Sequence, residues 1–316
     1  MPLNNSSKRR EVLRRLEMGE ISLIKAFELI KDDKSNTKDN PVSREDNNLI
    51  DMIVAELDKM IGLNNIKKLV KQLRAFVTIQ KERQRQELKS DSLVMHMIFK
   101  GNPGTGKTTV ARILAKLFKE LGLLEKGHLK EVERADMVGE YIGHTAQKTR
   151  KLVQSALGGI LFIDEAYSLA RGGHRDFGKE AIDTLVKLME DNRENLIVIL
   201  AGYPQEMEYF LESNPGLNSR FPIKVNFEDY SLEELIEIAK LMVKEREYKL
   251  SQRSEAKLYN ILSKIRKEAG PEEGNARTVR NLIERAIRNQ AVRLVKQEKI
   301  SKVDLMMINR EDFNDS

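Results

Sequence analysis

Apolar and polar positions change rhythm several times along the chain. Over residues 7–31, Val12, Leu13 and Leu16 share one helical face and Gly19 interrupts it. Ser22 can cap a second short helix carrying Leu23, Ile24, Phe27 and Ile30. Residues 32–47 are polar apart from Val42 and contain Pro41, which predicts a linker. Residues 1–31 therefore read as an appended helical module, too small to fold alone. From Asn48 helical spacing returns at Ile50, Ile53 and Leu57. It breaks at Gly62 and resumes at Ile66, Leu69, Val70 and Leu73.

Short apolar runs then alternate with helical stretches. Met95–Lys100, Leu129–Val132, Ile160–Ile163, Leu196–Ala201 and Ile223–Phe227 read as strands. The third and fourth are nearly all apolar, as expected of parallel strands buried on both faces. Thr108–Leu121 reads as an amphipathic helix, with Val110, Ile113, Leu114, Leu117 and Leu121 on one side. Strands alternating with helices predict a doubly wound parallel α/β sheet over 48–230. Beyond Asp229 no strand signal remains. Ser231-Leu232-Glu233-Glu234 is a capping box, and helical spacing runs to about Val295, so 231–316 is expected to be all-helical.

Composition narrows the classes. The chain has 316 residues, 33% of them charged, and no cysteine. Disulfides and thiolate metal sites are excluded, and a reducing cytoplasm is the expected location. No apolar run approaches the ~20 residues of a membrane span, and no apolar core follows the basic N-terminus, so neither a span nor a signal peptide is expected. The net charge of +6 is diffuse. Its densest stretch, Ile66–Lys89, reads as a solvated helix face rather than a nucleic-acid contact.

One segment carries explicit chemistry. Gly101-Asn102-Pro103-Gly104-Thr105-Gly106-Lys107-Thr108 fits the phosphate-loop pattern, between an expected strand and an expected helix. Such glycines let successive N–H groups point into one concavity, and the helix N-terminus adds partial positive charge. Candidate nucleotide contacts are Asn102, Pro103, Gly104, Thr105, Gly106, Lys107, Thr108 and Thr109. Lys107 is expected to reach the β- and γ-phosphates, and the Thr108 hydroxyl to ligate Mg²⁺. The strand Ile160–Ile163 ends in Asp164-Glu165. Asp164 is expected to hold Mg²⁺ through its water shell and Glu165 to orient the attacking water. A second acid favours hydrolysis over transfer to a metabolite. With no Asn-Lys-x-Asp guanine reader following, ATP is favoured over GTP.

These residues resemble the AAA+ ATPases over about residues 50–310. Within that family the chain is most similar to the subfamily of sporulation and red-type Rubisco-activating ATPases. The match is carried by 57–63 (Leu-Asp-Lys-Met-Ile-Gly-Leu), 134–145 (Arg-Ala-Asp-Met-Val-Gly-Glu-Tyr-Ile-Gly-His-Thr), 164–169 (Asp-Glu-Ala-Tyr-Ser-Leu) and Ala201-Gly202-Tyr203. The resemblance implies that Ile61, Gly62 and Leu63 pack on adenine. It implies that Tyr141-Ile142-Gly143 form a central-pore loop gripping a polypeptide, with residues 171–176 as a second loop. Arg220, in Asn218-Ser219-Arg220-Phe221, matches the arginine finger, which completes a neighbour's site and so requires an oligomer. Arg277, in Gly274-Asn275-Ala276-Arg277, matches the sensor that reaches the γ-phosphate, with Arg280 a rival one turn on. The first sensor position holds Tyr203 where the family usually has Asn or Thr. A phenol can still bond water or phosphate, and the departure implies slow or partner-dependent hydrolysis.

The reading is an ATP- and Mg²⁺-dependent ring, a hexamer by family resemblance, that remodels a protein substrate in spore formation. A Rubisco-activase-like client is one alternative. A nucleic-acid-associated motor is another, disfavoured by Tyr141 and by the lack of a recognisable DNA-binding module. A nucleotide-dependent scaffold is the third, disfavoured by the set Lys107, Asp164, Glu165 and Arg220. His144 and His174 are too isolated to argue for a metal.

Overall fold

A computed structural model describes residues 44–89, 94–141, 143–171, 177–270 and 274–314. The helices expected over 7–31 and the linker up to residue 43 lie outside these residues. So do Ile142 and residues 172–176 of the expected second loop. Residues Ile50–Ser316 cluster as one compact unit.

The described chain begins with α1 (Arg44–Asp58) and α2 (Asn64–Arg85). Helix α1 starts four residues before the expected end of the linker. Its first turn, Arg44-Glu45-Asp46-Asn47, is polar, so periodicity could not reveal it, and acidic residues suit a helix N-terminus. On α2, Ile66, Val70, Leu73 and Val77 are buried while the intervening lysines face out.

Next come β1 (Met97–Gly101), α3 (Lys107–Glu120) and β2 (Leu129–Val132). They are followed by α4 (Arg134–Met137), α5 (His144–Ala156) and β3 (Gly159–Ile163). A 3₁₀ turn at Ala166–Ala170 leads to α6 (Gly178–Asp191) and β4 (Leu196–Gly202). Helices α7 (Pro204–Glu212) and α8 (Pro215–Asn218) precede β5 (Ile223–Phe227). The five strands lie in the order β2-β3-β4-β1-β5, and every neighbouring pair is parallel. Every residue of β3 and of β4 is buried, as continuous apolar runs require.

Strand pleating sends alternate side chains to two apolar layers. Met97, Phe99, Phe162 and Ile199 join one, and Ile98, Leu161, Ile163, Val198 and Leu200 the other. Phe99 is fully buried, with ring centroids 4.9 Å from Phe227 and 6.5 Å from Phe162. Truncating such a ring costs about 3–5 kcal/mol.

The remainder is α9 (Leu232–Glu245), α10 (Gln252–Ala269), α11 (Ala276–Val295) and α12 (Lys302–Met306). Both bonds of the capping box form at Ser231 and Glu234. This part is not all-helical, however. Lys249–Leu250 and Met307–Ile308 pair as a two-stranded parallel sheet, β6-β7. Two-residue strands are too short to leave a period-2 signal, so the sequence could not show them. Leu235, Ile238, Leu258, Val279 and Ile283 share the apolar layer that holds Phe99, so core and lid share one continuous apolar layer. Among the described residues no helix is long and apolar enough to cross a membrane.

Candidate functional site

The phosphate loop leaves β1 at Gly101 and enters α3 at Lys107. Gly106 is the residue before the helix and has φ 98°, a conformation that costs glycine little and other residues more. Gly104 has φ +77°, and a Cβ there would lie 2.8 Å from the Arg277 amide nitrogen. The loop therefore touches the first turn of α11 directly, and only glycine leaves room. Thr105 is fully buried and donates its hydroxyl proton to the Asn102 carbonyl at 2.8 Å. Lys107 Nζ donates to the carbonyls of Gly101 (2.6 Å) and Asn102 (2.9 Å). Burial pushes the Lys107 pKa below its ordinary value. The Asp164, Asp229 and Glu165 carboxylates oppose that shift and Arg277 adds to it. One field thus joins Lys107, the acid pair and Arg277. Thr108 is half-buried and Thr109 exposed at the same helix start, while Arg280, one turn along, is exposed.

Strand order positions the other groups. β4 lies between β3 and β1, so Tyr203, which follows β4, emerges between the acid pair and the phosphate loop. Glu165 itself holds φ +45°, and its N–H donates to Asp164 Oδ1 at 3.0 Å. A non-glycine residue there stores about 1 kcal/mol or more, a feature that clusters at functional sites. The Tyr167 ring is buried, 6.0 Å from the Tyr203 ring, with the Arg171 guanidinium over it, 4.6 Å from its centroid. Burial, and then the Glu165 charge, push the Tyr167 phenol up to about 12, so it stays protonated beside Glu165.

The turn at 61–63 lies against the phosphate loop. A Cβ on Gly106 would sit 3.5 Å from Met60 Cε and 3.7 Å from Leu63 Cδ1. Gly62 abuts the Tyr230 ring and the Glu234 carboxylate. Ile61 is half-buried on the edge of the main apolar layer. Tyr230, which sequence reading did not single out, donates its hydroxyl proton to the Thr105 carbonyl at 3.2 Å. Burial pushes its phenol up to about 12.

Asp229 and Asn275 were missed as well. Asn102 Nδ2 donates to both Asp229 carboxylate oxygens, at 3.1 and 3.0 Å, and Asn275 Nδ2 donates to Oδ1 at 2.7 Å. The only available signal was the position of Asp229 just after a strand, at the end of the sheet where ligands bind.

Two expected site residues are not gathered here. Arg220 is held by the Gly216 carbonyl (Nη1 to O, 2.8 Å) and stands 3.7 Å from Glu190, too far for a hydrogen bond. Its Nε is buried with no hydrogen-bond partner. Tyr141 is 65% exposed, with the His144 ring 5.4 Å away edge-on. A cleft of about 510 Å³ runs between Gly139 and Glu140, next to Tyr141, and the acid pair, Asp164 and Glu165. Arg134, Lys148 and Ser168 also line it.

Known proteins are similar to this chain. Residues 97–229 match the family described as ATPase family associated with various cellular activities, and 231–316 match the AAA lid domain. Stage V sporulation protein K of Bacillus subtilis (strain 168) is 56% identical over 263 residues, 83% of this chain and 82% of that protein. The chloroplastic ribulose bisphosphate carboxylase/oxygenase activase of Cyanidioschyzon merolae (strain NIES-3377 / 10D) is 43% identical over 268 residues, covering 84% and 91%. Among solved structures, the Thermotoga maritima RuvB Holliday junction branch migration motor superposes with a TM-score of 0.51 at 20% identity, over 81% of this chain and 69% of that one. At that identity the likeness speaks for the fold alone. The chain belongs to the AAA ATPases, related to stage V sporulation protein K and to the Rubisco activase and CfxQ proteins.

Proposed function

We propose that this protein is an ATP-driven remodelling motor of the stage V sporulation protein K type, assembled as a hexameric ring in the cytoplasm and acting on a protein client during spore formation. The observation that carries the reading is the cleft, which joins the hydrolytic acid pair to the loop bearing exposed Tyr141. Movement around Glu165 on hydrolysis has a short route to the residue that would hold a polypeptide.

Each group has one task. Lys107 exchanges its two carbonyl partners for the β- and γ-phosphates of ATP. Arg277 meets the γ-phosphate from the lid, which its place against Gly104 and in the field of Lys107 favours over Arg280. Ile61, Gly62 and Tyr230 wall the adenine. Glu165 orients the water, and Tyr203 holds it or the phosphate from between the two loops. Among the described residues no three His, Cys, Asp or Glu gather as a metal cage. That suits Mg²⁺, which keeps waters and phosphate oxygens and needs only Thr108 and Asp164 from the protein. The metal would neutralise charge on the transferring phosphoryl group. Arg220 enters the neighbour's site, and its partly exposed guanidinium, paired with an exposed Glu190, is placed to be released for that role.

The test is ATPase rate against protein concentration, alongside light scattering, for wild type and Arg220→Ala. Activity that rises with assembly, and a variant that binds ATP but hydrolyses little, support the ring. Activity independent of both concentration and Arg220 rules the ring out and leaves a monomeric nucleotide switch. The activase relative favours a second client, Rubisco itself. Adding inhibited Rubisco and ATP discriminates, since only that reading expects its recovery.

A further inference from the structure

The junction of phosphate loop, hinge and lid breaks a local rule, and the breach has a direction. Asn275 is the residue before α11, where an asparagine side chain ordinarily accepts a bond from the first turn. Here it makes no such cap. Its Oδ1 accepts the Tyr230 N–H at 3.2 Å and its Nδ2 donates to Asp229 at 2.7 Å. The side chain is 1% exposed, so water does not share in these bonds. Asp229 lies between β5 and α9, in the segment that joins the α/β core to the lid. Its carboxylate is an acceptor only, and it draws its donors from both sides, Asn102 on the loop and Asn275 on the lid.

We infer that Asp229 is a positioning residue that couples occupation of the phosphate loop to the placement of the lid. Asn102 is the link. Its side chain holds Asp229, while its carbonyl accepts the Lys107 ammonium and the Thr105 hydroxyl. When Lys107 turns to a bound phosphate, the Asn102 carbonyl keeps the Thr105 hydroxyl but loses the ammonium, and the residue can shift. Asp229 then passes the movement to Asn275 and the start of α11, which already touches Gly104. The bonds to a carboxylate are charge-assisted and stronger than neutral ones. A donor lost from that site leaves a partly buried group unpaired, so the three residues move together or part at a cost. The inference rests on ATP binding at the loop and on nothing about the ring or its client.

The experiment uses the full chain and four variants: Asp229→Asn, Asn275→Asp, both together, and Asn102→Ala. Binding of fluorescent ATP and ADP analogues gives Kd, and hydrogen exchange of α9 and α11 with and without nucleotide reads the lid. Asn275→Asp sets carboxylate against carboxylate, while Asp229→Asn removes the charge and one of the two acceptor oxygens that Asn102 and Asn275 share. Each is expected to weaken ATP binding about tenfold and to abolish nucleotide-dependent protection of α11. The exchanged pair restores one donor and one acceptor and should recover both readouts to within about threefold. Asn102→Ala leaves the bond between hinge and lid intact, and at nucleotide concentrations that saturate this variant α11 should gain no protection. Wild-type lid protection in Asn102→Ala overturns the coupling. So does an exchanged pair as impaired as the singles, because Asp229 then serves only folding. If wild type itself bound neither nucleotide, the ATP assignment would fall, and the inference with it.

Discussion

The phosphate-loop junction and the outlying residues Tyr141 and Arg220 are built on different terms. At the junction the groups around the phosphate loop find partners within the chain, although the Arg266 Nε behind them has no hydrogen-bond partner. Lys107 has two carbonyls, Asn102 and Asn275 share Asp229, and the Tyr230 hydroxyl reaches Thr105. Tyr141 is mostly exposed, and the partly exposed Arg220 guanidinium is held by one carbonyl and an ion pair with exposed Glu190. The junction is bonded within a single chain. Tyr141 and Arg220 are left accessible to another molecule.

The sharpest way to break that contrast is Arg220→Ala. Turnover should fall about 10³-fold or more with ATP affinity little changed. Mixing these chains with Lys107→Ala chains, which keep the finger but lose the nucleotide, should restore part of the activity. No restoration at any ratio would mean Arg220 acts within its own chain, and the comparison would collapse. Glu165→Gln comes next. It should lower turnover about 10²–10⁴-fold while ATP still binds, and wild-type turnover in that variant would remove Glu165 from the mechanism.

A third test addresses, through pH, the buried sheet on which both regions stand. His96 is buried beside Phe221 and accepts the Val198 N–H at its Nδ1. Burial lowers its pKa from 6.5 to about 4. Between those values the unfolded chain binds a proton that the folded chain excludes, so stability falls as pH drops through that window. The loss is about 3 kcal/mol in all, and the group contributes no slope above about pH 7. Denaturant melts of wild type and His96→Gln should differ in slope there and nowhere else, and equal slopes would reject the assignment. Tyr141→Ala has the smallest expected effect on the fold. Stability should move by under about 0.5 kcal/mol, while ATP-dependent processing of a protein client is lost. A large drop in stability would place Tyr141 in the structural region instead.

The chemistry that could be read in sequence is contiguous. Gly101–Thr108 and Asp164-Glu165 each lie within a few residues, next to strands whose apolar runs announce themselves. The junction could not be read that way. Asn102 and Asp229 are 127 residues apart, and Asn275 a further 46. Asn275 sat inside a recognised motif that drew attention to Arg277 alone, and Tyr230 carried no local mark. The β6-β7 pair was hidden by its length, and the start of α1 by its polar first turn.

What the sequence determined by itself was the alternation of elements and the two local constellations, since both depend on neighbours along the chain. What only the tertiary structure decided was strand order. Placing β4 between β3 and β1 puts Tyr203 between the acids and the phosphate loop. Placing β5 beside β1, with Phe227 opposite Gly101, brings Asp229 to Asn102. Parallel pairing is set by packing on both faces of the sheet, and residues that meet only through it carry no periodic or local mark.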